Sequence, residues 1–151
     1  MVETNVPPDA AELLRRTKVE VAPATFFLVG LRQEDWQRLL ESPELSPRPE
    51  APFMLLRDGR EVTMLLEAED WRVMRHAARD ARVEGPFRLV TLDIVLAWNV
   101  VGYLALVTRI LAGAGISAGA LSAFSRDHLL IKQDDLGRAL RALGEHVAEL
   151  C

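Results

Sequence analysis

The chain contains almost no cysteine, no long apolar run and no excess of positive charge. Its 151 residues include one cysteine, Cys151, at the last position. A single cysteine excludes an intrachain disulfide and a four-cysteine metal site. A thiol at a chain end is also a poor candidate for a catalytic nucleophile, because chain ends are seldom held rigidly enough to position one.

The missing apolar runs and basic clusters exclude two further classes of partner. The longest apolar stretch, Ile94 to Val107, is interrupted by Asn99 and Gly102 and is shorter than the roughly 18 residues of a membrane span. Met1 to Arg16 holds no apolar core of signal-peptide length. The formal net charge is −4 without clustered Lys or Arg, which argues against binding to a phosphate backbone. We therefore expect a cytoplasmic protein with no membrane or nucleic-acid partner.

Recognisable catalytic patterns are also missing. His76, His128 and His146 are far apart and lack metal-ligand spacing. The sequence has neither a phosphate-binding Gly-Lys-Ser/Thr loop nor a Gly-x-Ser-x-Gly nucleophile turn. The sequence therefore predicts no catalytic residue, no metal site and no cofactor, and we expect a protein that is not an enzyme.

An internal repeat organises what is present. Met64 to Trp71 corresponds to Leu129 to Leu136, each with an apolar strand end, a polar turn, an acidic pair and an apolar helix residue. The flanking patterns predict the order β-α-β-β-α in both halves. We therefore predict an α+β fold of two ferredoxin-like (βαββαβ) units, with antiparallel sheets and helices on one face. The predicted divisions are an N-terminal segment 1–17, a first unit 18–84 and a second unit 85–151.

Several local features carry their own predictions. Pro23 is expected to interrupt the strand region Val19 to Leu31, so that the first part of this region is an edge strand or a bend. Asp58-Gly59 predicts a tight hairpin turn with positive φ angles. Gly102 is expected to open a helix over Tyr103 to Ala112, buried on more than one side. A final helix capped by Asp134 is predicted, with an apolar stripe that continues to Leu150.

Residues Val83 to Leu150 resemble the ACT domain, and more closely the tandem form related to the CASTOR-type amino-acid sensors. The motifs that carry the resemblance are Val83-Glu84-Gly85-Pro86-Phe87, Asn99-x-x-Gly102-x-Leu104, Ala112-Gly113-Ala114-Gly115-Ile116-Ser117, and the strand pair Leu121 to Lys132. The first half matches only in its layout. The resemblance implies two ACT-type units and a non-catalytic regulatory protein that binds an amino acid, forms a homodimer and signals to a protein partner.

The resemblance places the ligand at the loop before Gly102 and along the strand after Gly115, at an interface between units. The residues themselves support part of this site. Unpaired N–H groups at a helix start favour a carboxylate, Gly102 leaves room for a ligand, and Ser122 and Asp127 offer acceptors for an ammonium. Both residues also have a purely structural interpretation: Gly102 fits a simple turn, and Ser122 fits a solvent-facing position on a strand. The predicted ligand-binding residues are Asn99, Val100, Val101, Gly102, Tyr103, Ile116, Ser117, Ser122, Phe124 and Asp127.

Two alternatives remain open from the sequence. The first is a ligand-free ACT-like module kept for dimerisation or interaction, with the small residues Ala118 to Ala120 packed against a partner. The second is a small enzyme on the same ferredoxin-like fold, because a fold alone does not decide function. A groove lined by polar groups favours the sensor, whereas a filled groove favours the interaction module.

Overall fold

The computed structural model describes residues 9–151. Residues 1–8, part of the predicted N-terminal segment, lie outside the described residues. The chain divides into two compact units. Ala24–Phe87 form the first, which we call the central unit. The second, which we call the C-terminal unit, combines residues 9–23 with Arg88–Cys151.

Two strands contribute residues to both units. Strand β1 spans Lys18–Leu31 and strand β4 spans Arg82–Asp93. The boundary between the two compact units lies after Pro23 within β1 and after Phe87 within β4. The N-terminal residues therefore belong to the same compact unit as the second half of the sequence, a division that differs from the predicted 18–84 and 85–151.

The central unit has the strand order β2-β3-β1-β4. Its remaining elements are α2 (Gln33–Leu40), β2 (Met54–Arg57), β3 (Val62–Glu67) and α3 (Ala68–Met74), with a 3-10 turn at Pro43–Leu45. Strand β3 pairs antiparallel with both β1 and β2. Alternate β3 residues Val62, Met64 and Leu66 enter one core with Leu39 and Met74, as the two-residue period of a strand requires.

Buried acids in the central unit are held by arginines. Asp35, fully buried in the first turn of α2, accepts from Arg38 and from Arg32 Nε at 3.3 Å. Asp70 is 7% exposed and accepts from Arg48 Nε at 2.9 Å. These ion pairs compensate the desolvation that an unpaired buried carboxylate would suffer.

The C-terminal unit has the strand order β1-β4-β6-β5, with the two-residue β7 parallel to the start of β1. Its other elements are α1 (Ala10–Arg16), α4 (Tyr103–Gly113), β5 (Ala118–Ser122), β6 (Asp127–Lys132), α5 (Leu136–Gly144) and β7 (Glu149–Leu150), with a 3-10 turn at Gln133–Asp135. Strands β5 and β6 pair antiparallel, with Ser122 opposite Asp127.

Helix α4 forms the centre of this unit's core, as its apolar sequence predicted. Tyr103, Val107 and Leu111 are buried at helical spacing, and α1 and α5 both contact the helix. Leu129 and Ile131 of β6 meet it in the same core. The described residues therefore form a mixed α+β structure, and the predicted β-α-β-β-α order is confirmed in both halves of the chain.

Three local predictions were wrong. Strand β1 continues through Pro23 without interruption. Gly59 has no positive φ; instead Asp58 Oδ1 accepts from the amides of Arg60 and Glu61 at 2.7 and 2.8 Å, so a side chain closes the turn. The last helix ends at Gly144, because the chain then turns to pair with β1, where the Cys151 amide donates to the Val19 carbonyl at 2.7 Å.

Candidate functional site

A pocket of about 330 Å³ lies in the C-terminal unit, where the loop between β4 and α4 meets the turn between β5 and β6. The Leu96 amide donates to the Ser125 carbonyl at 3.0 Å and joins the two segments. The volume lies at the small end of the range for small-molecule sites. The lining residues are Leu96, Ala97, Trp98, Val100, Gly102, Tyr103, Leu104, Ala105, Ser122, Ala123, Phe124, Ser125, Arg126 and Asp127.

The N-terminus of α4 opens into this pocket. Gly102 precedes the helix with φ 87°, a conformation that residues with a side chain rarely adopt. No side chain caps the helix, and its first turn contains no acid. The first-turn N–H groups and the positive end of the helix dipole therefore face the pocket without a capping carboxylate from the helix itself, an arrangement that favours an anionic group.

Opposite charges lie side by side on the β5–β6 turn. Asp127 accepts a hydrogen bond from the Ser122 hydroxyl at 2.6 Å, across the paired strand ends. The Arg126 Nε lies 3.2 Å from Asp93 Oδ1. Arg126 and Asp127 are the two charged residues that line the pocket. The lining therefore presents one acidic and one basic side chain to any group that enters the pocket.

Tyr103 anchors the pocket to the core. Its hydroxyl lies 2.7 Å from the Thr17 hydroxyl, and Thr17 also donates to the Leu13 carbonyl at 2.9 Å. Burial raises the pKa of Tyr103; the hydrogen bond to Thr17 opposes the rise, and the charge of Asp127 adds to it. The phenol is therefore a neutral structural group at the base of the site.

His128 lies next to the pocket on β6. Its Nδ1 lies 2.9 Å from the Thr91 hydroxyl. Burial lowers the pKa of His128, the nearby Arg126 lowers it further, and Asp127 opposes the shift. The imidazole is consequently held in its neutral form near neutral pH, as a hydrogen-bonding partner of β4.

The structure brings together six of the ten predicted ligand residues. Val100, Gly102, Tyr103, Ser122, Phe124 and Asp127 all line the pocket. Asn99, Val101 and Ser117 are exposed outside the lining, and Ile116 is buried in the core. That these four contact a ligand stays a prediction. Ser122 donates its hydroxyl proton to Asp127, so the two predicted acceptors are hydrogen-bonded to each other.

The sequence analysis missed part of the apolar wall and one charge. Leu96, Leu104 and Arg126 line the pocket without having been predicted to. Trp98, which the sequence suggested as a possible cover for a ligand beside the predicted loop, lines the pocket too and is fully exposed. Leu96 lies in the segment just before that loop, so extending the loop toward β4 would have included it. Arg126 was interpreted only as a turn residue, because its position depends on how the two segments meet.

Residues 9–151 lack two further features. None of the helices in this range is both long enough and apolar enough to cross a membrane. The same range contains no group of three or more His, Cys, Asp or Glu side chains placed to hold a metal ion.

Comparison with known families finds one match. Residues 82–145, less than half of the chain, match the model of a family described as ACT domain. This match falls on the part of the chain whose motifs resemble that family. A comparison with curated proteins found no match.

Solved structures extend the similarity to most of the chain. A Vibrio cholerae protein of unknown function, described as a possible transport protein, is 25% identical, with a TM-score of 0.67 over 91% of this chain and 95% of its own. An Agrobacterium tumefaciens protein is 19% identical, with a TM-score of 0.65 over 90% and 92%. The regulatory subunit of aspartate kinase from Thermus flavus is 12% identical, with a TM-score of 0.64 over 87% and 98%. The last two similarities are similarities of fold.

Proposed function

We propose that this chain is a non-catalytic regulatory protein with two ACT-type units, which binds an amino acid in the pocket of its C-terminal unit. The observation that carries the proposal is the convergence, in one pocket, of an uncapped helix N-terminus with the charged pair Arg126 and Asp127. The ACT match and the fold shared with an aspartate kinase regulatory subunit support a regulatory role.

In the proposed complex, the ligand carboxylate accepts from the first-turn amides of α4, which have no side-chain cap. The ligand ammonium donates to Asp127 in place of the Ser122 hydroxyl, which donates to it in the structure. Both contacts are charge-assisted hydrogen bonds, the stronger class of such bonds. A change of partner affinity on binding is the proposed output, and a homodimer is the proposed form.

A thermal-shift screen of the twenty amino acids tests the proposal. A ligand that binds only the folded state raises the melting temperature by mass action. We expect a concentration-dependent rise with one or a few amino acids and no rise with their decarboxylated amines, which lack the carboxylate that α4 is proposed to hold. No rise with any amino acid at millimolar concentration would contradict amino-acid binding by this chain.

Gly102→Asp with Gly102→Asn as its matched control isolates the role of the helix N-terminus. A Cβ at Gly102 meets no atom within 4 Å, and Asp and Asn tolerate positive φ better than most residues. The two variants are similar in size and differ in charge. Binding that is lost in Gly102→Asp and retained in Gly102→Asn would support an anion site; equal binding in both would argue against it.

The ligand-free interaction module is the second candidate, and the exposed edge of β5 favours it. Strand β5 ends the strand order of the C-terminal unit, and Gly119 and Ala120 are exposed. An open edge with small residues can pair with another strand. Sedimentation velocity of wild type and Ala120→Lys tests this: a dimer that Ala120→Lys dissociates, in a protein that binds no amino acid, would favour the interaction module.

A further inference from the structure

The candidate pocket has an aromatic rim that the zwitterion contacts do not use. Trp98 on the β4–α4 loop and Phe124 on the β5–β6 turn both line the pocket, and both are fully exposed, at 101% and 105%. Large aromatic side chains bury more apolar area than most residues when they are covered. Two of them, extended into solvent around one pocket, leave apolar surface that a bound group can cover.

The rest of the wall beyond the charged pair is apolar as well. Leu96, Val100 and Leu104 contribute aliphatic surface to the same pocket. In the proposed complex, Asp127 and the helix N-terminus are already engaged by the ligand's backbone charges. Arg126 lies 3.2 Å from Asp93 in a half-exposed ion pair. An acidic ligand side chain would have to compete with Asp93 for Arg126, and a basic one would find no second acid among the lining residues once the ligand ammonium is bound to Asp127, so either would lose water for little gain.

From these two observations we infer that the pocket selects amino acids with a large apolar side chain, which Trp98 and Phe124 cover. The inference rests on the proposed function and names the ligand class of the same site. The aliphatic wall receives the ligand side chain from inside, and the two aromatic residues shield it from solvent. Area burial gives selectivity for size, and the missing counter-charge gives selectivity against Lys, Arg, Asp and Glu.

Trp98 can report on its own occupancy. The other tryptophans, Trp36 and Trp71, belong to the central unit, and the double variant Trp36→Phe/Trp71→Phe leaves Trp98 as the single indole. We expect its emission to shift to shorter wavelength, and its quenching by acrylamide to fall, when leucine or phenylalanine is added. Alanine, lysine and glutamate at equal concentration serve as the comparison set.

Affinity measured by calorimetry on the wild-type chain gives the quantitative test. We expect leucine or phenylalanine to bind at least about tenfold tighter than alanine, since one added methylene in an apolar pocket is already worth about that much. Trp98→Ser and Phe124→Ser should each remove most of this preference while alanine binding changes little. Val95→Ser is the matched control, because Val95 is a 69% exposed apolar residue of the same loop outside the pocket lining.

The possible failures are distinguishable. If no amino acid binds, the proposed function fails and this inference fails with it. If amino acids bind but alanine or lysine binds as tightly as leucine, the proposed function stands and the inference is overturned. The inference is also overturned if the preference for leucine survives in both serine variants, or if the wild-type chain sediments as a dimer that Trp98→Ser and Phe124→Ser both dissociate. Because both side chains are fully exposed, the serine variants should fold, which circular dichroism verifies.

Discussion

The hydrogen bonds of Thr17 allow a stability prediction with a definite order of effects. Thr17 donates its single hydroxyl proton to the Leu13 carbonyl at 2.9 Å, so Tyr103 must donate in the 2.7 Å contact between the two hydroxyl groups. Thr17 is fully buried and Tyr103 is 3% exposed. Water therefore cannot replace either partner, and removing one of them costs the full desolvation free energy of the polar group that is left unpaired.

The two single variants remove different parts of this chain of bonds. Tyr103→Phe removes one donor and leaves the bond from Thr17 to Leu13, at a cost of about 1 kcal/mol. Thr17→Val keeps the side-chain shape but leaves both the Tyr103 hydroxyl and the Leu13 carbonyl without this partner, at a cost of about 2–3 kcal/mol. In the double variant no buried Tyr103 hydroxyl remains, so its cost should not exceed that of Thr17→Val alone. The expected coupling is therefore about 1 kcal/mol.

Urea unfolding of the four proteins, followed by far-ultraviolet circular dichroism, measures these differences at neutral pH. Comparable m-values must first show that the variants unfold in the same way. Additive single effects would refute the hydrogen bond between Thr17 and Tyr103. A larger loss in Tyr103→Phe than in Thr17→Val would refute the assigned direction of donation.

Alkaline pH provides a separate readout of the burial of Tyr103. The raised pKa of Tyr103 means that the folded state holds the phenolic proton more tightly than the unfolded state. This contribution is fully present below about pH 10, the ordinary pKa of tyrosine, and is lost as the pH rises through the folded value. Tyr103 is the only tyrosine in the chain, so tyrosinate absorbance follows it alone. Titration at the ordinary pKa in the folded protein would contradict its burial.

Three further predictions concern other parts of the chain. Gly85→Ala should lower the free energy of unfolding by about 3 kcal/mol or more, because φ is 141° and a Cβ would lie 2.7 Å from a side-chain carbon and 3.0 Å from a backbone oxygen. Gly102→Ala should lower it by about 1 kcal/mol, because φ is 87° but no atom lies within 4 Å of the added Cβ. Equal losses of stability in urea unfolding would contradict this steric difference. Arg48→Ala should lower the free energy of unfolding by about 2 kcal/mol, because the largely buried Asp70 would lose its charged side-chain partner and keep only the backbone amide of residue 48 at 3.3 Å. Asp70→Asn in the same chain should recover part of that loss; no recovery would show that Asp70 does not carry the cost. Because the pKa of His128 is lowered in the folded state, this residue stabilises the fold above about pH 6.5, and the contribution is lost as the pH falls through the pKa of the folded state. The wild type should therefore lose more stability than His128→Asn between about pH 7 and 5. Parallel pH profiles of stability for the two proteins would contradict this prediction.

Much of the fold was predictable because its signals are local. The repeat of Met64–Trp71 in Leu129–Leu136 correctly placed a strand end and a helix start in both halves. The apolar sequence after Gly102 predicted a helix buried on several sides, and α4 is such a helix. The division into units was not predictable, because it depends on which half of β1 packs with which core, and each half is equally strand-like in sequence.

The candidate site was predictable only in its separate pieces. Gly102 and Ser122 were found because a helix start and a polar strand end have recognisable residues. The bond between the Leu96 amide and the Ser125 carbonyl, which joins the two segments, involves only backbone atoms and therefore leaves no trace in residue types. For the same reason, Arg126 could not be assigned to the pocket from the sequence.

The partner of each acid explains why Asp127 is the best candidate to receive a ligand. Asp35 and Asp70 accept from arginine side chains, and Asp93 lies 3.2 Å from an arginine nitrogen. A ligand ammonium at those positions would replace one charged partner by another and gain little. Asp127 instead accepts from the neutral hydroxyl of Ser122, so exchange for an ammonium would convert a neutral-donor bond into one in which both groups are charged. The proposed ligand is therefore expected to release Ser122, and Ser122→Ala should leave Asp127 accessible and weaken binding far less than Asp127→Asn does.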